Sequence, residues 1–226
     1  MSRECDKIHG LFNGMERFNF PFDEAKIPLN GIYVLFEKGE KGHGTSRIVR
    51  IGTHTGKNQL RSRLMQHFIN ENKDRSIFRK NIGRALLSKA RDIFLEKWEI
   101  DLTTREAKER HSGSIDFEKQ KEVEKKVTKY IQDNFSLVVF RVDDKEKRLE
   151  LESRIISTVS LCGECKASEN WAGSYCPSEK YQTKRVYNNC LKIRQSGLWN
   201  VNELCKEPLS EKDVGELKAA CNKPFP

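Results

Sequence analysis

A phenol, two guanidinium groups, an imidazole and a carboxylate stand out in this 226-residue chain as groups able to act together on a phosphodiester. Hydrolysis of that bond needs an activated water, cations around the pentavalent phosphate, and help for the departing 3′ oxygen. Tyr33 qualifies as the base if nearby cations draw its pKa down from the ordinary value of about 10. Arg50, on the strand expected to pair with that of Tyr33, is the natural source of such a cation. Arg63 and His67 stand four residues apart and so share a helix face. The planar fork of Arg63 matches phosphate oxygens, and His67, with His54 just beyond Gly52, suits proton relay or water orientation. Each also has a plainer reading, an ordinary strand tyrosine or a solvated helix edge. Only their joint occurrence favours chemistry.

Glu152 has an argument of its own. At about 100° per residue, Leu149, Leu151, Ile155, Ile156 and Val159 cluster on one helix face, and Glu152 falls near its middle while Glu150 falls opposite. A carboxylate on a burying face is costly unless a cation or hydrogen bonds compensate it. A hard divalent ion such as Mg²⁺ (or Mn²⁺), shared between one carboxylate, water and substrate phosphate, would do so. A salt bridge to an arginine is the structural alternative. Glu152 is therefore the expected metal ligand, and Glu150 is not.

The elements that must position these groups follow from pattern. Gly31-Ile32-Tyr33-Val34-Leu35-Phe36 and Ile48-Val49-Arg50-Ile51-Gly52 read as two strands of a hairpin. Gly39, Gly42 and Gly44 between them predict a long exposed tip. That tip has the G-x-x-x-x-G spacing of a phosphate loop, but Thr45-Ser46 follow where Lys is required, so nucleotide binding is rejected. Leu60, Leu64 and Phe68 predict a helix from about 57 to 69. Residues 76–111 predict one or two helices, 116–132 a highly charged helix, 135–142 the clearest strand, and 145–160 another helix. Beyond Leu161 the composition predicts loops, with a last helix at 210–221. The expected fold is α/β (α+β): a small three-stranded, mostly antiparallel sheet flanked by helices. Residues 1–28 and 173–226 are read as extensions on a core at 29–172.

Gly31-Ile32-Tyr33, Arg50-Ile51-Gly52 and Leu60-x-x-Arg63-Leu64-x-x-His67-Phe68, in that order, resemble the core signature of the GIY-YIG nuclease superfamily, in its restriction-endonuclease-like branch. The segment Leu149-Glu150-Leu151-Glu152-Ser153-Arg154-Ile155-Ile156 resembles that family's metal-binding helix. Arg50 stands where the second Tyr of the signature belongs, a departure that some restriction-type members share. The resemblance implies a metal-dependent DNA endonuclease, double-stranded DNA as partner, and a homodimer if both strands of a palindrome are cut. A catalytically inactive DNA- or RNA-binding module on the same scaffold is the alternative. Ser168-Glu169-Asn170-Trp171 resembles an Asn-bearing family segment, which would set Asn170 on a phosphate or on the site's backbone; an Asn in a turn is equally open.

Composition is compatible with this. Lys and Arg total 42 against 33 Asp and Glu, a formal charge of +9 that favours a polyanionic partner. Lys57, Arg61, Arg79, Lys80 and Arg84 are the expected backbone contacts, the last three in a run mixing cations with apolar anchors. No apolar stretch approaches the ~20 residues of a membrane span, so no membrane is expected, and the N-terminus lacks an export signal. Seven Cys then read as reduced thiols in a cytoplasm. Cys162-x-x-Cys165 has zinc-knuckle spacing, but Cys176 and Cys190 are too far apart for a standard ribbon. Free thiols are expected at these four, with structural Zn²⁺ as the alternative.

Overall fold

The computed structural model describes residues 2–178 and 183–221; residues 179–182 and 222–226 of the expected C-terminal extension lie outside the described residues. Three strands were expected, and all are present: β2 (Gly31–Gly42), β3 (Thr45–Gly52) and β4 (Phe135–Arg141). A fourth, the two-residue β1 (Phe18–Asn19), comes from the segment read as an extension and pairs Phe18 with Leu137. The order is β1-β4-β2-β3, and every neighbouring pair is antiparallel.

Side chains alternate across a strand, so β2 feeds two cores. Ile32, Val34 and Phe36 face α1 (Ser2–Asn13), together with two later helices, α7 (Lys145–Ser160) and α9 (Glu211–Cys221). Tyr33 and Leu35 face α2 (Leu60–Phe68), α3 (Ile77–Lys89), α6 (Phe117–Asn134) and α8 (Lys184–Ser196). The short helices α4 (Leu95–Trp98) and α5 (Arg105–His111) link α3 to α6. A sheet covered on both sides explains why β2 reads as an unbroken apolar run. Side-chain caps start several helices: Ser76 accepts from the Arg79 amide at 3.3 Å, Asp116 from Lys119 at 2.9 Å, and Asp144 from Lys147 at 2.7 Å.

Two sequence expectations need correction. The hairpin has no long tip. Its ladder resumes at Lys41↔Ser46 and closes at Gly42↔Thr45, with His43 (φ 49°) and Gly44 (φ 72°) as a two-residue turn of the type that matches strand twist. Gly39 (φ 89°) instead absorbs the register shift between Phe36 and Lys41. The stretches read as extension and loop also contain α1 and α8. Cys5, Ile8 and Phe12 form the buried stripe of α1, and Cys190 and Ile193 that of α8.

Strand β3 is the sheet edge, yet its rim is covered. The Trp199 amide donates to the Val49 carbonyl at 2.8 Å. Asn200 completes the pairing: its Oδ1 accepts from the Ile51 amide at 3.1 Å, and its Nδ2 donates to the Ile51 carbonyl at 2.9 Å. Among the described residues, no helix is long and apolar enough to cross a membrane.

Two glycines at the open end of the hairpin, Gly31 and Gly52, are close-approach sites. A Cβ on Gly52 would enter the Tyr33 phenol, and one on Gly31 would enter the Phe140 carbonyl on β4. The second obstacle is backbone and cannot rotate away. Gly31→Ala is therefore expected to cost about 1–3 kcal/mol in chemical denaturation, because relief requires parting β2 from β4. A change below roughly 0.5 kcal/mol would show that the approach is not a constraint.

Candidate active site

Tyr33 sits mid-strand on β2 opposite Gly52, fully buried, and only the missing side chain there leaves space for its ring. Its hydroxyl lies 2.8 Å from His67 Nε2. On the far side of that imidazole, Nδ1 lies 2.8 Å from Ser76 Oγ, the same oxygen that caps α3. Burial holds the His67 pKa well below its ordinary value, and Arg63, Arg50 and Arg79 push the same way. Burial thus favours a neutral imidazole, and the tautomer with its proton on Nδ1, toward Ser76, would leave Nε2 as acceptor for the phenol.

Arg50 separates this buried pair from solvent. Its Nε lies 3.4 Å from the Tyr33 hydroxyl, its Nη1 donates to the Trp199 carbonyl at 3.0 Å, and its guanidinium stacks 4.9 Å over Phe78. Its outer side lines a cleft of about 420 Å³ together with Arg63, Glu152, Asn200 and Glu203. Arg63 also lines a neighbouring polar groove with Thr53, His54, Thr55, Gln59, Ser62 and Gln66. Cleft and groove thus meet at one guanidinium.

Glu152 is half-buried on α7, and its Oε1 accepts the Thr53 amide at the end of β3 at 3.1 Å. Burial raises its pKa to about 7 against the pull of Arg50, the Thr53 amide and Arg63, with Glu203 adding to the rise. Among the described residues no cation bonds it directly. Its donor set, one underused carboxylate with the Glu203 carboxylate in the same cleft, is all oxygen, and that chemistry fits a hard divalent ion. Glu150 is exposed and pairs with Arg154 at 3.6 Å.

A family model described as the GIY-YIG domain matches residues 4–223. The chain belongs to the GIY-YIG family. Among curated proteins and among solved structures, none matches it. The match covers nearly the whole chain, α1 and α8 included, and the family is one of DNA-cleaving nucleases.

On this GIY-YIG scaffold, Arg50, Arg63 and Glu152 reach one cleft, with Tyr33 and His67 directly beneath Arg50. The shared helix face expected for Arg63 and His67 divides: His67 points fully into the core, while Arg63 is half-buried at the cleft. His54 does not join them. Its Nδ1 lies 2.6 Å from the Gly56 carbonyl and its Nε2 accepts the Gly31 amide at 3.4 Å, so the ring braces the turn after β3.

Three of the expected nucleic-acid contacts are corrected. Arg79 is fully buried, its guanidinium 2.7 Å from Glu124, with further bonds to Thr128 and the His67 carbonyl. Arg84 is buried against Glu99 at 2.6 Å, and Lys80 binds Asp74 at 3.0 Å. Their apolar neighbours anchor α3 inside the protein instead of against a backbone. Arg61 ties down the N-terminal segment through the Ile27 and Ala25 carbonyls, and Lys57 and Asn170 are exposed.

Sequence reasoning missed Asn200, Glu203 and Ser76. Asn200 lies in the apolar run Gly197–Val201, where Leu198 and Trp199 are fully buried and carry it to the sheet edge. The Cys162/Cys165/Cys176/Cys190 zinc set is also corrected: Cys162 and Cys165 lie in the core on the α7 side of the sheet, Cys176 and Cys190 in the core on the other side.

The raised Glu152 pKa carries a stability signature. Because the folded protein holds this proton more tightly than the unfolded chain, the contribution of Glu152 to stability falls as pH rises from about 4.5 to about 7. Glu152→Gln escapes that loss. Without divalent metal, it is expected to be about 1–3 kcal/mol more stable than wild type at pH 8, with the gap closing near pH 4.5. Urea unfolding at both pH values checks this; a pH-independent difference would refute it.

Proposed function

We propose that this chain is a restriction-type DNA endonuclease that hydrolyses phosphodiester bonds with Mg²⁺ or Mn²⁺ held at Glu152. The observation that carries the reading is the meeting of Arg50, Arg63 and Glu152, from three elements distant along the chain, around one cleft. Arg50 in place of the second signature tyrosine is a departure that some restriction-type members share, which is compatible with a restriction role.

Each group has a part. Held at Glu152, a divalent cation would supply positive charge for the departing 3′ oxygen. Arg63 grips the phosphate with its fork and links the cleft to the polar groove, whose hydroxyls and amides suit the sugar–phosphate backbone of double-stranded DNA, and exposed Lys57 lies on the same loop as Thr55 and Gln59 of its lining. Arg50 moves from the phenol onto the phosphate. The move gives up a contact with the hydroxyl that is at the outer limit of hydrogen bonding and uncovers Tyr33, and it works against the Trp199 carbonyl bond and the Phe78 stacking that hold the guanidinium. The water proton then passes to the Tyr33 oxygen as the phenol proton passes to His67 Nε2. Phosphate binding helps, because it neutralises Arg63 and Arg50, the two charges that most disfavour protonation of His67. Cutting both strands of a palindrome calls for a homodimer on DNA.

The sealed phenol, with Arg50 in the tyrosine position, favours a second reading: a DNA- or RNA-binding module that keeps the scaffold. Incubation with supercoiled plasmid and Mg²⁺ or Mn²⁺ separates the two, since a pure binder retards DNA without nicking it. Glu152→Ala is expected to lose cleavage by roughly 10²-fold or more while DNA affinity and fold persist. Tyr33→Phe should behave likewise. Parallel loss of DNA binding and thermal stability in Glu152→Ala would make the carboxylate structural.

A further inference from the structure

One cluster of metal-binding side chains lies outside the cleft, on the α1 side of the sheet. Cys5 on α1, His43 in the hairpin turn and Cys165 beyond α7, with His9, bring their ligand atoms within 4.8 Å of one another. Cys5 Sγ and Cys165 Sγ are 3.5 Å apart. Cys162 Sγ stands 3.4 Å from His43 Nε2 and interacts with both other thiols. A tetrahedral zinc ion with bonds of about 2.3 Å to sulfur and 2.0–2.1 Å to nitrogen sets its ligand atoms roughly 3.4–3.8 Å apart. These spacings match. A disulfide between Cys5 and Cys165 does not, because its sulfurs would stand about 2.05 Å apart.

The surroundings are built for a metal as well. His43 turns Nε2 toward the thiols, while its Nδ1 lies 3.9 Å from the Asp6 and from the Glu164 carboxylates. Neither is within hydrogen-bond distance, but both belong to exposed side chains that could close on the far nitrogen, where an outer carboxylate orients a zinc-bound histidine. His43 is held by the hairpin turn, at a positive φ that few residues adopt. Gly42 beside it has no side chain, and a Cβ there would crowd Cys165, Arg47 and His9. The fifth candidate, His9, has both nitrogens committed: Nδ1 lies 2.9 Å from the Cys5 carbonyl, and Nε2 accepts the Ile48 amide at 3.2 Å.

We propose that Cys5, His43, Cys162 and Cys165 form a structural zinc site, with His9 as a positioning residue behind it. The site clips together three segments that are far apart in sequence: α1, the hairpin turn and the loop that ends α7. It thereby anchors the far ends of β3 and α7, the elements that carry Arg50 and Glu152. The inference does not depend on phosphodiester cleavage, since the ligands lie outside the cleft.

Metal analysis of the full chain, purified under reducing conditions without chelator or added zinc, tests it. Stoichiometric zinc is expected in wild type and in Cys176→Ser, and its loss in Cys165→Ser and His43→Ala. Should those two variants fail to fold, wild type decides alone. After zinc is exchanged for Co²⁺, its spectrum should show the visible bands of a tetrahedral ion and charge transfer from thiolates. Chelator should lower the melting temperature, and Zn²⁺, but not Mg²⁺, should restore it. Wild type that carries no zinc and takes up no Co²⁺ would overturn the site. So would zinc retained in Cys165→Ser, or a thiol count in denaturant that falls short by a Cys5–Cys165 disulfide.

Discussion

The outer rim of β3 is the constraint on which the rest of the molecule turns. An edge strand buried on both faces presents amides and carbonyls that water cannot reach, and each one left unpaired is costly. Trp199 and Asn200 satisfy that rim from a segment about 150 residues downstream. The same contact organises the cleft. The Trp199 carbonyl holds Arg50, Asn200 forms part of the wall, and Glu203 follows three residues on. Trp199 is itself held by the buried Glu37 carboxylate, which accepts from Trp199 Nε1 at 2.9 Å, Trp171 Nε1 at 2.7 Å and the Tyr130 hydroxyl. One desolvated acid on β2 thus fixes the segment that closes β3.

Charge in this protein does two separate kinds of work. Arg47, Arg79 and Arg84 are buried and paired with Glu40, Glu124 and Glu99, so their charges are spent inside the fold. Removing one partner of such a pair strands the other in a poor solvent, which makes these pairs determinants of a single packing more than sources of net stability. Arg50 and Arg63 differ: each has a side facing the cleft and no carboxylate bonded to it among the described residues. Within the cleft, these are the cations that face an incoming anion.

In the proposed reaction the same geometry would couple substrate binding to proton transfer. A neutral histidine beneath three arginines is a poor base until part of that positive charge is cancelled, and a phosphate at Arg50 and Arg63 would cancel it. The raised pKa of Glu152 has a parallel logic. Isolation from water makes the carboxylate costly to ionise alone, and a divalent cation would offset that cost.

Much of this was legible in the chain itself, because local patterns dictate it. Short β-rich apolar runs place β2, β3 and β4, near-four-residue spacings place α2 and α7, and Glu152 stood out as the acid on the burying face of α7. Tyr33, Arg50, Arg63 and His67 were singled out by residue type and order. What tertiary structure alone decided were the partners. Arg79, Lys80 and Arg84 read as a DNA-facing run, yet Glu124, Asp74 and Glu99, distant in sequence, took their charges inward. Cys162 and Cys165 read with Cys176 and Cys190, yet the sheet stands between the pairs, and Cys5 and His43 lie beside the first. Asn200, not Asn170, reached the cleft wall because the rim of β3 needed a donor and an acceptor. Periodicity says which face of an element is buried, but not what is packed against it, and for charged and metal-binding side chains the neighbour sets the role.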